Sequence, residues 1–401
     1  MNSGNTNNLD DSVVSLVRPE LLKRVAYLAA SPERTAIRLH ANENPWSIES
    51  ELESSGTNSV SVASNSDQHS VTDQRELNRY PSPRPADLAA AMSDYYEVAV
   101  EQVLPVRGSD DGIDLLLRAF CSAGKDSITI SSPTFGMYKA SAEVQGAEIV
   151  DVPLLEQDAV FSLDYDATVA ASRNSKLLFI CTPNNPTAHS VSRSDIESLC
   201  TDLKGDCMVI VDEAYIEFSN RRSASELLAR HSNLVVLRTI SKAFGAAGIR
   251  CGAVLAHADI ISVLHSISTP YALATPVVEI AVAGFQPAAL AKLRERCNFL
   301  VNHCAQLAEA MTDHPLVEQV YPTDANFLLV RFRDCSAVFK ALVEANVLVR
   351  DFSSAKGCKD CLRISVGLES ENRAVLAVLD KLQSKLSNNN PVSSGSGKAT
   401  G

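Results

Sequence analysis

The sequence predicts an α/β protein: a mainly parallel sheet in a large domain, followed by a smaller α+β domain. Three observations carry this. Short, apolar, β-prone runs recur at 127–131, 176–181, 208–211, 234–237 and 252–255. Strands apolar on both faces are those of parallel sheets covered by helices on both sides. Helix-patterned stretches separate most of these runs, such as 113–121 and 195–203, the latter opened by a Ser194-x-x-Glu197 capping box. From about residue 287 the texture changes to one long amphipathic helix, about 288–311, and then candidate strands near 317–321, 327–332, 347–350 and 362–366.

A chain of 401 residues with 45% hydrophobic and 21% charged residues has apolar material for more than one core. The pattern divides it into an N-terminal arm (1–33), an entrance segment (34–74) carrying a Ser-rich insertion (47–74), a large domain (75–286), a small domain (287–387) and a disordered tail (388–401). The net charge of −12 argues against a nucleic-acid or anionic-membrane partner. The polar N-terminus lacks a signal-peptide pattern, and no apolar run approaches the roughly 18 residues of a membrane span, so a cytoplasmic protein is expected. The 10 cysteines are dispersed and mostly sit in apolar contexts, where thiols behave as small hydrophobes. Cys358-Lys359-Asp360-Cys361 has a metal-ligand spacing but no second pair to complete a site, so no metal is expected.

The chemistry-bearing residues sit where the apolar runs end. The run 208–211 delivers Asp212, then Tyr215; the run 176–181 delivers Thr182-Pro183-Asn184-Asn185-Pro186-Thr187; the run 234–237 leads to Ser241-Lys242, with Arg250 beyond. Open α/β sheets bind ligands at the carboxyl ends of their strands, so three strand ends present Asn, Asp/Tyr and Ser-Lys to one crevice. Each residue also has a plainer reading: Lys242 as a solvated lysine, Asp212 as a helix cap, Asn185-Pro186 as a turn. A carboxylate following four apolar residues is costly to bury alone, so Asp212 is expected to meet a cation.

The ordered set Asn185-Pro186-Thr187, Asp212-x-x-Tyr215 and Ser241-Lys242 with Arg250 resembles the fold-type I aminotransferases, which use pyridoxal 5'-phosphate. Leu39-His40-Ala41-Asn42-Glu43-Asn44-Pro45, Asn78-Arg79-Tyr80-Pro81, Arg107-Gly108-Ser109-Asp110 and Cys361-Leu362-Arg363-Ile364-Ser365-Val366-Gly367 are similar to the histidinol-phosphate aminotransferase family, and the likeness runs from about residue 34 to 385.

The resemblance implies roles. Lys242 would hold the cofactor aldehyde covalently and then move protons as base and acid. Asp212 would keep the pyridine nitrogen protonated. Asn185 and Tyr215 would bond the cofactor phenolate oxygen, and Phe135 would stack on its ring. Ser109 and Asp110, through backbone N–H groups at a helix start, would hold the phosphate with Ser241 and Arg250. Tyr80 would reach the phosphate of a second subunit, making a homodimer part of the site. Asn42, Arg350 and Arg363 would meet substrate, Arg363 as the anion clamp. The implied reaction is transamination of L-histidinol phosphate with 2-oxoglutarate; aromatic-type aminotransferases and threonine-phosphate decarboxylases share these motifs. Where the family has glycine after Asn-Pro-Thr, this chain has Ala188, which is strained if the position needs positive φ.

Overall fold

The computed structural model describes residues 37–40, 42–43, 45–46 and 80–389. The expected arm 1–33, the Ser-rich stretch 47–74 and the segment 390–401 lie outside the described residues. The last helix, Glu369–Asn389, runs past the expected start of the tail at 388.

A seven-stranded sheet forms the centre, in the order Val103–Val106, Gly252–Ala256, Leu234–Thr239, Met208–Asp212, Leu177–Cys181, Ser127–Ile130, Glu148–Asp151. Only Gly252–Ala256 runs antiparallel to its neighbours. The strands Leu177–Cys181, Leu234–Thr239 and Gly252–Ala256 are buried at every position, which is why they read as unbroken apolar runs. Both edge strands escaped the sequence pattern. Val103–Val106 contains Pro105, tolerated because an edge strand need not donate on both sides. Glu148–Asp151 is exposed at both ends and half-buried between.

A four-stranded antiparallel sheet, in the order Val317–Val320, Phe327–Phe332, Cys361–Ser365, Arg350–Asp351, lies against the long helix Pro287–Thr312. That helix starts on proline, whose missing N–H costs nothing at a first turn. It buries Leu293, Cys297, Leu300, Cys304, Leu307 and Met311, an alternating four-and-three spacing that keeps one face on the core. The run expected at 347–350 is two strands, not one: Val347–Leu348 pairs with Ile37–Arg38, and Arg350–Asp351 pairs with Cys361–Ser365.

The expected capping box at Ser194 is corrected. The helix is Arg193–Asp202, and Ser192 caps it by accepting from the Asp195 N–H at 3.1 Å. Ser192-x-x-Asp195 offers the same cap two residues earlier, and Ser192 has the extended backbone a cap requires. No single helix among the described residues is long and apolar enough to cross a membrane. All 10 cysteines are buried free thiols.

Candidate active site

A cavity of about 750 Å³ opens at the carboxyl ends of the central strands. Asn42, Ser109, Asp110, Phe135, Asn185, Asp212, Tyr215, Ser241, Lys242, Arg250, Arg350 and Arg363 all line it. Tyr80 does not: it is 82% exposed and stacks on Tyr271 with ring centroids 4.7 Å apart.

Asp212 ends its strand and is 1% exposed. Its next neighbour, Glu213, is held by Arg238 at 3.3 Å, Ser223 at 2.6 Å and the Ala224 N–H at 2.6 Å. One carboxylate of the pair is thus neutralised within the protein. Asp212 is not: the expected cationic partner is not supplied by the described residues. Its Oδ2 accepts from the Tyr138 hydroxyl at 2.8 Å and its Oδ1 from the Ala214 N–H at 3.1 Å, both neutral donors. Burial pushes its carboxyl up to about 6, against those two hydrogen bonds. A buried carboxylate with only neutral donors, facing a cavity, fits a ligand that brings its own cation.

Lys242 follows the fully buried strand Leu234–Thr239 by three residues. Burial, with Arg363 and Arg250 adding to it and Asp110 and Glu43 opposing, pushes its ammonium down to about 8. Its Nζ lies 5.7 Å from the centre of the Tyr215 ring. Tyr215 is 4% exposed, and its hydroxyl accepts from Asn42 Nδ2 at 3.0 Å; burial raises its pKa to about 12, so it remains a neutral donor.

A cradle for an anion forms beside them. Gly108, at φ +82°, opens the helix Ser109–Phe120, and no side chain caps the free N–H groups. A Cβ on Gly108 would come within 3.1 Å of Arg250 Nη2, so glycine lets the guanidinium lie against the turn. Arg250 also donates to Ser241 Oγ at 3.4 Å and pairs with Asp110 at 3.3 Å. The Asp111 carboxylate is turned to Arg107 at 2.8 Å. The donors left to a ligand here are a helix N-terminus, a hydroxyl and an arginine, the combination suited to phosphate.

Arg363 comes from the other sheet. Its Nη1 donates to Asn185 Oδ1 at 2.6 Å and its Nη2 to the His40 carbonyl, and its guanidinium lies between the Phe327 and Phe352 rings at 5.3 and 5.5 Å. Arg350 stands in register opposite Arg363 on the adjacent strand. Asn42, at φ +52° and wholly buried, joins three segments: its N–H donates to Ser365 Oγ and its Oδ1 accepts from that hydroxyl, both at 2.8 Å, while its Nδ2 reaches Tyr215. Asn326 Nδ2 completes the set on the Asn42 carbonyl at 3.3 Å.

Ala188 adopts φ +60° and is buried. The turn keeps the conformation that favours glycine, with the Ala188 N–H on the Asn184 carbonyl at 2.7 Å and its own carbonyl taken by the Asp324 N–H at 2.9 Å. A Cβ in this region costs about 1–2 kcal/mol.

Sequence reasoning missed Tyr138 and Phe352, and it named His40 and Ser365 only within longer motifs, with no role of their own. The available signal for Tyr138 was its place three residues after Phe135, one helical turn, at the start of the helix Gly136–Gln145.

The family described as Aminotransferase class I and II matches residues 45–379. A histidinol-phosphate aminotransferase of Stenotrophomonas maltophilia (strain R551-3) is 40% identical over 373 residues, 92% of this chain and 97% of the relative. One from Aeromonas salmonicida (strain A449) is 43% identical over 303 residues, 76% of this chain and 84% of the relative. Among solved structures, the histidinol-phosphate aminotransferase from Sinorhizobium meliloti in complex with pyridoxal-5'-phosphate is alike in fold, with a TM-score of 0.77 and 19% identity over 93% of this chain and 98% of that one.

Proposed function

The chain belongs to the class I and II aminotransferase family, and from that premise we propose that it uses pyridoxal 5'-phosphate to transfer the amino group of L-histidinol phosphate to 2-oxoglutarate. The products are imidazole acetol phosphate and glutamate. When bound, the cofactor supplies an aldehyde to carry the amino group and a protonated ring to withdraw electrons.

The residues present fit that group. Asp212 would hold the proton of the ring nitrogen, and the ring's positive charge would be the counter-ion its buried carboxylate lacks. Phe135 would stack on the ring. Asn185, whose Oδ1 is taken by Arg363, has its amide N–H left to bond the ring oxygen with the Tyr215 hydroxyl. Ser241, Arg250 and the backbone at Ser109 and Asp110 would take the phosphate. Lys242, held down to about 8, exists partly as the free amine near neutral pH. That amine would hold the aldehyde covalently and, once free, its Nζ would accept the proton from the substrate carbon bearing the amino group and deliver it to the former aldehyde carbon. Tyr80, exposed and outside the cavity of its own chain, would complete the phosphate site of a partner in a homodimer.

The substrate reading rests on one observation: Arg350 and Arg363 stand opposite each other on neighbouring strands at the same cavity. Two guanidinium groups at one cavity suit a phosphate dianion, or the distal carboxylate of 2-oxoglutarate, because arginine's planar fork matches such anions. The test is the amino-donor half-reaction of the holoenzyme, followed by cofactor absorbance. Histidinol phosphate should convert efficiently, histidinol poorly, and Arg363→Ala should impair both half-reactions. Equal efficiency with phenylalanine and histidinol phosphate would reject the substrate.

A further inference from the structure

We infer that Tyr138 is a positioning residue that keeps the shared proton on the cofactor's ring nitrogen instead of on Asp212. The inference rests on the cofactor reading above. Tyr138 is fully buried, and its hydroxyl donates to Asp212 Oδ2 at 2.8 Å.

The ring is fixed on two sides. It stacks on Phe179 at 4.8 Å and 15°, and it packs nearly perpendicular to Phe135, the proposed stacking residue, at 5.6 Å and 85°. Phe179 and Cys181 lie on the strand Leu177–Cys181, and Cys181 is in register with Asp212. Tyr138 therefore spans the two strand ends and holds the hydroxyl at one carboxylate oxygen.

The charges around Asp212 leave this hydroxyl a specific task. Burial, Asp110 and Glu213 all favour the protonated carboxyl. The Tyr138 hydroxyl, the larger of the two, and the Ala214 N–H oppose them. Tyr138 itself is pushed well above its ordinary value, by burial first and then by Asp212, so it remains a donor. A donor on a carboxylate lowers its basicity. Where carboxylate and pyridine nitrogen share one proton, a weaker carboxylate base leaves the proton on the ring. That protonated ring is the form that withdraws electrons.

Tyr138→Phe keeps the volume and both ring contacts and removes only the hydroxyl. With the holoenzyme carrying 15N-labelled cofactor, the ring-nitrogen chemical shift of Tyr138→Phe should move toward the unprotonated value. Turnover should fall about ten- to a hundredfold with little change in KM, as for loss of one hydrogen bond to a charged group. In the apoprotein, the titration of 13C-labelled Asp212 should move to higher pH. If Tyr138→Phe does not fold, 3-fluorotyrosine at position 138, a stronger donor of similar shape, should move the nitrogen shift the other way. An unchanged nitrogen shift in the folded variant overturns the inference. A wild-type protein that binds no cofactor overturns the proposed function instead, so the two failures are distinct.

Discussion

Replacing Asp212 with asparagine should make the protein without cofactor more stable and the loaded enzyme nearly inert. The carboxyl is 1% exposed and titrates at about 6 in place of 3.8, chiefly because burial disfavours its charge. A displacement of about two pH units corresponds to about 3 kcal/mol. A carboxyl raised on folding helps the folded state fully below its unfolded value and loses that help as pH climbs through the folded value. Above pH 6 the apoprotein therefore carries a penalty of about 3 kcal/mol, which asparagine, uncharged and able to bond Tyr138, removes. Denaturant unfolding of the two apoproteins at pH 8 should favour Asp212→Asn by up to that amount, and the advantage should shrink on going to pH 5. With pyridoxal phosphate the order reverses. Losing one partner of a buried ion pair costs about 3–5 kcal/mol, which predicts turnover lower by about a hundred- to a thousandfold or more at full cofactor occupancy. An apoprotein variant no more stable than wild type at pH 8, or a loaded variant within a few-fold of wild-type turnover, would refute the reasoning.

Two further outcomes are expected. Borohydride reduction of the holoenzyme should leave the cofactor adduct on Lys242 by peptide mass spectrometry, and Lys242→Ala should lose transamination while remaining folded; an adduct elsewhere sinks the assignment. Mixing Lys242→Ala with Tyr80→Ala chains should restore part of the activity, since one site of such a heterodimer has both residues; no recovery in verified heterodimers counts against a shared site.

How much of this was legible depended on how local the cause was. Met208–Asp212 announces itself because four apolar residues must be buried on both faces before a carboxylate appears. Lys242 was legible for the same reason. The cause of Tyr138's position is not local: its partner Asp212 is 74 residues away and its stacking neighbour Phe179 lies on another strand. Val103–Val106 was hidden by Pro105, which sequence reasoning treats as a strand breaker and an edge position tolerates. The cap at Ser192 lost to Ser194 because two serines two residues apart both offer the motif, and only the backbone turn chooses between them. The strain at Ala188 was foreseeable as a condition, and the φ of +60° meets it.

The Asn42–Ser365 bond joins positions 323 residues apart, and Arg363 reaches back to the His40 carbonyl. A ribosome makes the chain in one direction, so the central sheet can assemble while the strand Cys361–Ser365 is still inside the exit tunnel. During that interval the nascent protein has its lysine and aspartate in place, but Asn42 has no Ser365 to hold it and Asn185 has no Arg363. A chain that ends before residue 361 would leave the ribosome without the Arg363 guanidinium at the cavity and without the Ser365 hydroxyl that holds Asn42.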